Sequence, residues 1–329
     1  MISRRVFLGG LAAALGTGAS PALAQQRPAS AKPYRVGVLN EAFGPNPPVV
    51  LGLKAGLAEL GLQEGRDVVF ETVLTRGQLE ALPAGAAQLV KAKVDLIFTP
   101  LESPTRAAMD ATKEIPVVFA EVGDPVAAGI VTSVAHPGHN VTGISGLTTP
   151  LAPKRLEMLK ACAPVLRRAW AVYARDDLSS AASARMARQT APALGLEILD
   201  RPVDSAAEAV TILKSVLKAA SRRDGILAPT AISLDITARV LDVAPFVPSV
   251  FDAPHWVQGG GLVAYGVDHE NQGRQAARLV FRILRGARPE DLPVEDSTKF
   301  ELVINVRTAK QLGLTIPPLL LARADRVIE

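Results

Sequence analysis

The chain has 329 residues, with 36 Lys and Arg against 32 Asp and Glu, a formal net charge of +4 and 4% aromatic residues. So slight a positive excess and so few rings exclude the electrostatic footprint of a nucleic-acid binder and the stacking platforms that hold single strands. The length suits two domains of ordinary size, at about 150 residues each.

Ser3-Arg4-Arg5-Val6-Phe7-Leu8 leads into an uncharged Ala/Gly/Leu stretch from Gly9 to Ala19, then the small-x-small set Ala22-Leu23-Ala24 before Gln25. A basic start, a short apolar run and small residues at a cut are the parts of a secretory signal peptide, here residues 1–24. The apolar run is shorter than the ~20 residues a membrane span needs. The arginine pair followed by Val-Phe-Leu points to the twin-arginine route. No cysteine follows the cut to carry a lipid, so the expected product is soluble and periplasmic. Its charge balance, without Arg4 and Arg5, is 34 basic against 32 acidic residues. Cys162 is the single cysteine, so no intrachain disulfide can form. Its helical neighbours Leu156, Leu159 and Ala163 mark it as a buried, inert thiol.

A polar leader, residues 25–33, precedes an alternation of strand and helix signals. Tyr34 to Leu39 reads as a strand and Val49 to Leu60 as a helix closed by Gly61. Val68 to Val73 is a strand, Leu79 to Val90 a helix, and Val94 to Phe98 a buried strand. The next helix is expected to start at Ser103-Pro104, with Ser103 as its cap. Ile115 to Phe119 is a strand, and a Gly/Pro-rich connection from Gly123 to Gly146 then interrupts the rhythm. The alternation resumes with a helix over Leu156 to Cys162, a strand over Ala169 to Tyr173, a helix over Ser179 to Leu194 and a strand over Leu196 to Leu199. Ala206 to Ala219 is a helix, Gly225 to Ala228 a strand, Ile232 to Leu241 a helix, and Val247 to Phe251 and Leu262 to Tyr265 are strands. Gly273 to Arg285 is a helix, Phe300 to Ile304 a strand, and Arg307 to Leu312 a short amphipathic helix.

Strands separated by such helices mean βαβ units and a mostly parallel, doubly wound sheet. The succession occurs twice, so the expected fold is α/β with two Rossmann-like lobes joined by a multi-strand hinge. The expected lobes are 34–147 plus 268–296, and 148–267 plus 297–329.

In open parallel sheets ligands bind beyond the carboxyl ends of the strands, where helix amides also favour anions. The loops at those ends are 40–46, 99–103, 121–124, 174–179, 229–233, 252–256 and 266–268. From them, with Tyr265 at the end of its strand, the candidate ligand-binding residues are Asn40, Thr99, Glu102, Ser103, Gly123, Asp124, Arg175, Asp176, Ser179, Thr230, Asp252 and Tyr265. Arg175 has the planar fork that meets a carboxylate, whereas Glu102 and Asp252 suit an ammonium group. Each also has a plainer reading: hydroxyls at helix starts cap, loop arginines are solvated, and a tyrosine after Gly259 to Gly261 packs in a core. His136-Pro137-Gly138-His139 has no acidic or thiol neighbour, so no metal is expected. There is no phosphate loop, nucleophile elbow or zinc helix, and the chain is expected to have no cofactor and no catalytic activity.

Several segments are similar to one family. Gly123-Asp124-Pro125-Val126, Ala128-Gly129-Ile130-Val131 and Pro137-Gly138-His139-Asn140-Val141-Thr142-Gly143 resemble its GDPV-x-x-GLV…RPGGN-x-TG segment. Arg35 to Leu39, Gly56 to Gly61, Tyr265-Gly266-Val267-Asp268, Ile283 to Glu295, Thr298 to Asn305 and Thr308 to Pro318 follow its pattern too. The family is the ABC transporter substrate-binding proteins of tryptophan/tyrosine type. The resemblance implies a type I periplasmic-binding-protein fold whose lobes close on a solute, and an ABC permease in the inner membrane as partner. It implies cleft loops at Thr99 to Ser103, Gly123 to Pro125, Ala174 to Asp177 and Tyr265 to Asp268. Two of these depart from the family: Thr99-Pro100-Leu101-Glu102-Ser103 stands where Gly-(Ser/Thr)-Pro is usual, and Ala174-Arg175-Asp176-Asp177 where an Asn-Pro pair is. The function expected is capture of a small polar solute, an amino acid or an aromatic or organic acid, by a monomer. A receptor-feeding sensor and a periplasmic enzyme on the same scaffold are the alternatives.

Overall fold

The computed structural model describes residues 32–329 except 43, 148, 220–222, 230–233, 235 and 244. The signal peptide lies outside the described residues, as does the leader up to residue 31. Residues 33–329 form one compact unit. It contains two sheets.

The first sheet holds β1 (Tyr34–Asn40), β2 (Val68–Leu74), β3 (Leu96–Pro100), β4 (Val117–Val122), β5 (Val141–Ser145) and β11 (Glu295–Asp296), in the order β11-β5-β4-β3-β1-β2. All its pairings are parallel. The period-2 alternation of these strands explains the layers. Leu96, Phe98, Val118 and Ala120 pack against α1 (Pro48–Glu59) and α9 (His269–Leu284). Ile97, Val117 and Phe119 face the other way, onto α2 (Leu82–Lys91) and α3 (Glu102–Ala111). The α1–α9 contact is close because both helices present glycine: a Cβ at Gly52 would lie 1.9 Å from the Glu270 carbonyl oxygen, and one at Gly273 2.0 Å from that of Val49.

The second sheet holds β6 (Arg168–Ala174), β7 (Glu197–Val203), β8 (Asp224–Leu227), β9 (Ser249–Phe251), β10 (Val263–Val267), β12 (Phe300–Asn305) and β13 (Arg326–Ile328), in the order β13-β12-β10-β9-β8-β6-β7. Only β10 and β12 run antiparallel. Ala169, Ala171 and Val250 face α4 (Ala152–Cys162) and α5 (Leu178–Thr190). Val172, Ile226 and Phe251 face α6 (Ala206–Ala219), α7 (Ile236–Val243) and α8 (Pro254–Gln258). Each sheet is therefore covered on both faces, as a two-lobed doubly wound protein requires.

The chain passes between the sheets three times: after β5, after β10, and between β11 and β12. The crossings are bound together. Gln272 Nε2 donates to the Ser145 carbonyl (3.2 Å) and to Ser297 Oγ (2.8 Å), and Ser297 Oγ donates to the same carbonyl (2.6 Å). Asp268 N donates to the Lys299 carbonyl at 3.0 Å.

Some expectations shift. The helix placed at Ser103-Pro104 begins at Glu102, with Leu101 at the cap position and no side-chain cap bond. Leu101 reaches φ 67°, which turns the chain into the helix without needing a serine. The connection from Gly123 to Gly146 contains β5, whose residues are all buried. A strand covered on both faces shows no alternation, which hid it among glycines and prolines. Cys162 is fully buried, and burial pushes its thiol up to about 12.

Candidate functional site

Sheet order fixes where a ligand can enter. In the first sheet β2 is added on one side of β1 and β3 on the other, so strand order reverses between β1 and β3. In the second it reverses between β6 and β8. Loops diverge at such points and leave a crevice at the carboxyl ends. The residues there are Asn40-Glu41 and Pro100-Leu101 in the first lobe, and Ala174 to Asp177 and Ala228-Pro229 in the second.

The first wall is polar and dry. Asn40 is 1% exposed and Glu41 4%. Asn40 Oδ1 accepts from the Ala42 amide at 2.9 Å. Asn40 Nδ2 and Glu41 Oε2 are buried without a hydrogen-bond partner among the described residues. Thr75 lies beside them, its amide donating to the Asn40 carbonyl (3.0 Å) while the Gly77 amide donates to that of Glu41 (2.7 Å). The Thr75 hydroxyl is also buried and unpartnered. Burial, aided by the Glu121 charge, raises the Glu41 carboxyl to about 7. Thr99 Oγ1 is 2.8 Å from Thr105 Oγ1, and Thr105 donates to the Leu101 carbonyl at 2.6 Å.

A chain of charges crosses from this wall to the second lobe. Glu121, at φ 61° and next to last in β4, forms an ion pair with His269, the first residue of α9. A non-glycine residue in that region stores roughly 1–3 kcal/mol of strain, and such strain gathers where side chains must be aimed. Burial opposes charge on His269, but Glu121, Asp252 and Asp268 together outweigh it and lift the imidazole to about 9. Both side chains keep accessible surface, 24% for His269 and 14% for Glu121.

Asp252 directly follows β9, where Gly266 of β10 lets the two backbones meet: a Cβ there would lie 1.6 Å from the Asp252 carbonyl oxygen. Burial raises Asp252, tempered by Arg155 and His269. Arg155 on α4 is 1% exposed, and burial lowers it to about 10 against the pull of Asp252. Burial also lowers His255 on α8, with His269 adding to the effect.

The remaining expected residues are distributed as follows. Glu102 and Ser103 are exposed, and Glu102 pairs with Arg106 at 2.6 Å. Asp124 is exposed and caps its own turn at the Val126 and Ala127 amides, next to half-buried Gly123. Arg175 is exposed and paired with Asp204 at 2.7 Å; Asp176 beside it is exposed too. The Ser179 carbonyl accepts from Thr149 at 3.4 Å. Tyr265 is half-buried and stacks on Phe300 with ring centroids 6.3 Å apart. Thr230 lies outside the described residues. Asn40, Thr99 and Asp252 thus join the inner wall, while Glu102, Asp124 and Arg175 hold partners near the rim.

Sequence reasoning passed over Glu41, Thr75, Glu121, Arg155, His255 and His269. Glu41, Glu121 and His255 stand in loops it had singled out. Arg155 carried the clearest signal: it occupies the apolar stripe of α4 with Ala152, Leu156, Leu159 and Cys162, where a charge must be buried. Apart from the cleft, a groove of about 470 Å³ between α2 and α3 is lined by Pro83, Ala87, Val90, Ala107 and Ala111 together with Lys91 and Asp110. Among the described residues no cluster could hold a metal ion, and no helix is long and apolar enough to cross a membrane.

Comparison with known proteins agrees with this architecture. A conserved domain protein of Vibrio cholerae superposes with a TM-score of 0.77 at 28% identity, over 90% of this chain and 100% of that one. The ABC domain from Streptococcus pneumoniae in complex with L-Trp gives 0.78 at 26% identity, again over 90% and 100%. The tyrosine-binding protein of Clostridioides difficile is 26% identical over 267 residues, 80% of this chain and 76% of its own length. The family model for ABC transporter substrate binding proteins matches residues 47–328, across both sheets, and the chain belongs to that family.

Proposed function

We propose that this chain captures a small polar solute between the carboxyl edges of its two sheets, by closure of the lobes 34–147 plus 268–296 and 148–267 plus 297–329. The observation that carries the reading is the pairing of two strand-order reversals with a wall of buried, unpartnered polar groups, where a ligand would complete the hydrogen bonding. Three crossings tied by Gln272 and Ser297 supply a hinge with few rotatable segments, suited to an open and a closed state. Solute favours the closed state by its differential affinity, and an ABC permease in the inner membrane reads that state.

The signal peptide supports export, by the twin-arginine route, to the periplasm, where the chain acts as a monomer without catalysis. The Trp-bound and tyrosine-binding relatives make amino acids the first solutes to test. A thermal-shift screen of the purified protein tests the reading. A solute at 100 times its dissociation constant adds about 2.7 kcal/mol of stability. A broad panel of amino acids, sugars and organic acids that leaves the melting temperature unchanged rules the reading out.

A further inference from the structure

Every buried or half-buried acid of the cleft except one has a compensating group. Glu121 has His269, Asp252 lies in the fields of Arg155 and His269, Asp268 is bridged by Lys299 at 3.0 Å, and Asp177 accepts from the Ser180 amide at 3.0 Å. Glu41 has no such partner among the described residues, and the charge it feels is the like charge of Glu121. A buried carboxyl without a counter-charge is costly and is retained where a ligand or a reaction uses it.

Its neighbours say what would fit. Glu41 Oε2 and Thr75 Oγ1 are unpartnered acceptors, and Asn40 Nδ2 is an unpartnered donor, all buried. Two acceptors, one of them a carboxylate, suit an ammonium group. The amide donor suits an oxygen beside that ammonium. The turn over residues 75–77 is bonded to the Asn40 and Glu41 carbonyls, which sets Thr75 beside the end of β1.

We propose that the solute carries a protonated amine that seats on Glu41 and Thr75, with an oxygen of the solute accepting from Asn40. The proposal rests on the solute-capture reading and names the chemical class of solute. An organic acid without an amine is thereby excluded: in the first lobe it would meet Glu41 and Glu121, while His269 is engaged by Glu121.

Binding then displaces a proton. Without solute Glu41 is largely neutral below pH 7, and the cation needs it ionised, so the proton goes to solvent. The titratable group that acts on Glu41 is Glu121 of β4, and linked to it are His269 at the start of α9, its cap neighbour Asp268, Asp252 just after β9 and His255 of α8, with Arg155 of α4 acting on Asp252. His269, lifted to about 9, stays charged between pH 6 and 8 and supplies no proton there, and burial lowers His255, which disfavours its charged form.

The test is isothermal titration of the purified protein with matched triplets: an α-amino acid, its decarboxylated amine and its deaminated acid, built on the tyrosine, tryptophan, leucine and glutamate side chains. The amine-bearing members of at least one triplet are expected to bind, and the deaminated acid at least about 100-fold more weakly. Near pH 6, buffers of different ionisation enthalpy should show close to one proton released per solute, with affinity falling about tenfold per pH unit below 7. Glu41→Gln should abolish the release and flatten the pH dependence; its melting curve, taken first, confirms folding, and the wild-type proton count stands without it. A deaminated acid that binds as tightly as its amine partner, or amine binding with no proton release, overturns the proposal and leaves solute capture intact. If no triplet binds but a sugar or other neutral solute does, the proposal alone fails. If nothing binds, both readings fail.

Discussion

The two lobes treat their polar groups differently at the cleft. In the second lobe the charges are already matched within the protein: Arg175 holds Asp204, Arg155 faces Asp252, and Asp177 caps α5. In the first lobe Asn40, Glu41 and Thr75 present hydrogen-bonding capacity that the protein leaves unused. The second lobe has buried atoms of this kind as well, among them Asp177 Oδ2, Ser183 Oγ and Asp200 Oδ1, but Asp177 caps its helix and Asp200 is paired with Arg188. A wall with matched charges holds its shape without ligand, whereas a wall with unmet groups gains most from one. Under the proposed capture of a solute, the first lobe supplies the recognition wall and the second the surface that closes over it.

The strongest break of this contrast is Arg155→Ala. It leaves Asp252 without its cation and opens a cavity behind β9, and should cost about 3–5 kcal/mol in urea unfolding. A loss under about 1 kcal/mol would show that the second wall is not held by that charge.

Glu41→Gln probes the opposite wall through pH. The folded-state carboxyl of Glu41 is raised from 4.5 to about 7, so the folded protein holds the proton more tightly than the unfolded chain. Stability is then full below the unfolded value and falls as pH rises from 4.5 through 7, by up to roughly 3 kcal/mol. Without solute, the variant should gain on wild type by up to that amount between pH 4 and pH 8, read from melting temperatures.

His269→Gln sharpens the comparison at the crossing. Its imidazole is raised from 6.5 to about 9, so its contribution is full below 6.5 and is lost as pH rises through 9. The deficit of the variant should reach roughly 1–3 kcal/mol at pH 6, allowing for the partly exposed pair, and shrink toward pH 9.5. The smallest effect belongs to Arg175→Ala. Its ion pair with Asp204 is solvent-exposed, so the melting temperature should barely move and solute affinity should stay as it was.

Much of the fold was legible because local patterns decide it. Ala206 to Ala219 reads as a helix from its own periodicity, and the structure places the helix over those residues. Leu96 to Phe98 reads as a buried strand from its apolar run. Where the pattern is weak, as in β5 or the five-residue α8, pairing with distant strands supplies the order that the sequence lacks. The site was legible only in outline. Asn40, Thr99 and Asp252 follow from being at strand ends, since topology alone sends strand ends to the cleft. Glu121 and His269 are 148 positions apart, and nothing local to either announces their ion pair.

The sequence by itself determined the repeated βα rhythm, the membership of a solute-binding family and the loops that border the cleft, because hydrophobic period and turn residues act over a few positions at a time. Only the tertiary structure decided which polar groups are left without partners. Burial and hydrogen bonding depend on what every other segment brings near, and three crossings between the sheets bring Glu41, Glu121, Asp252 and His269 to one place from four separate strands and helices.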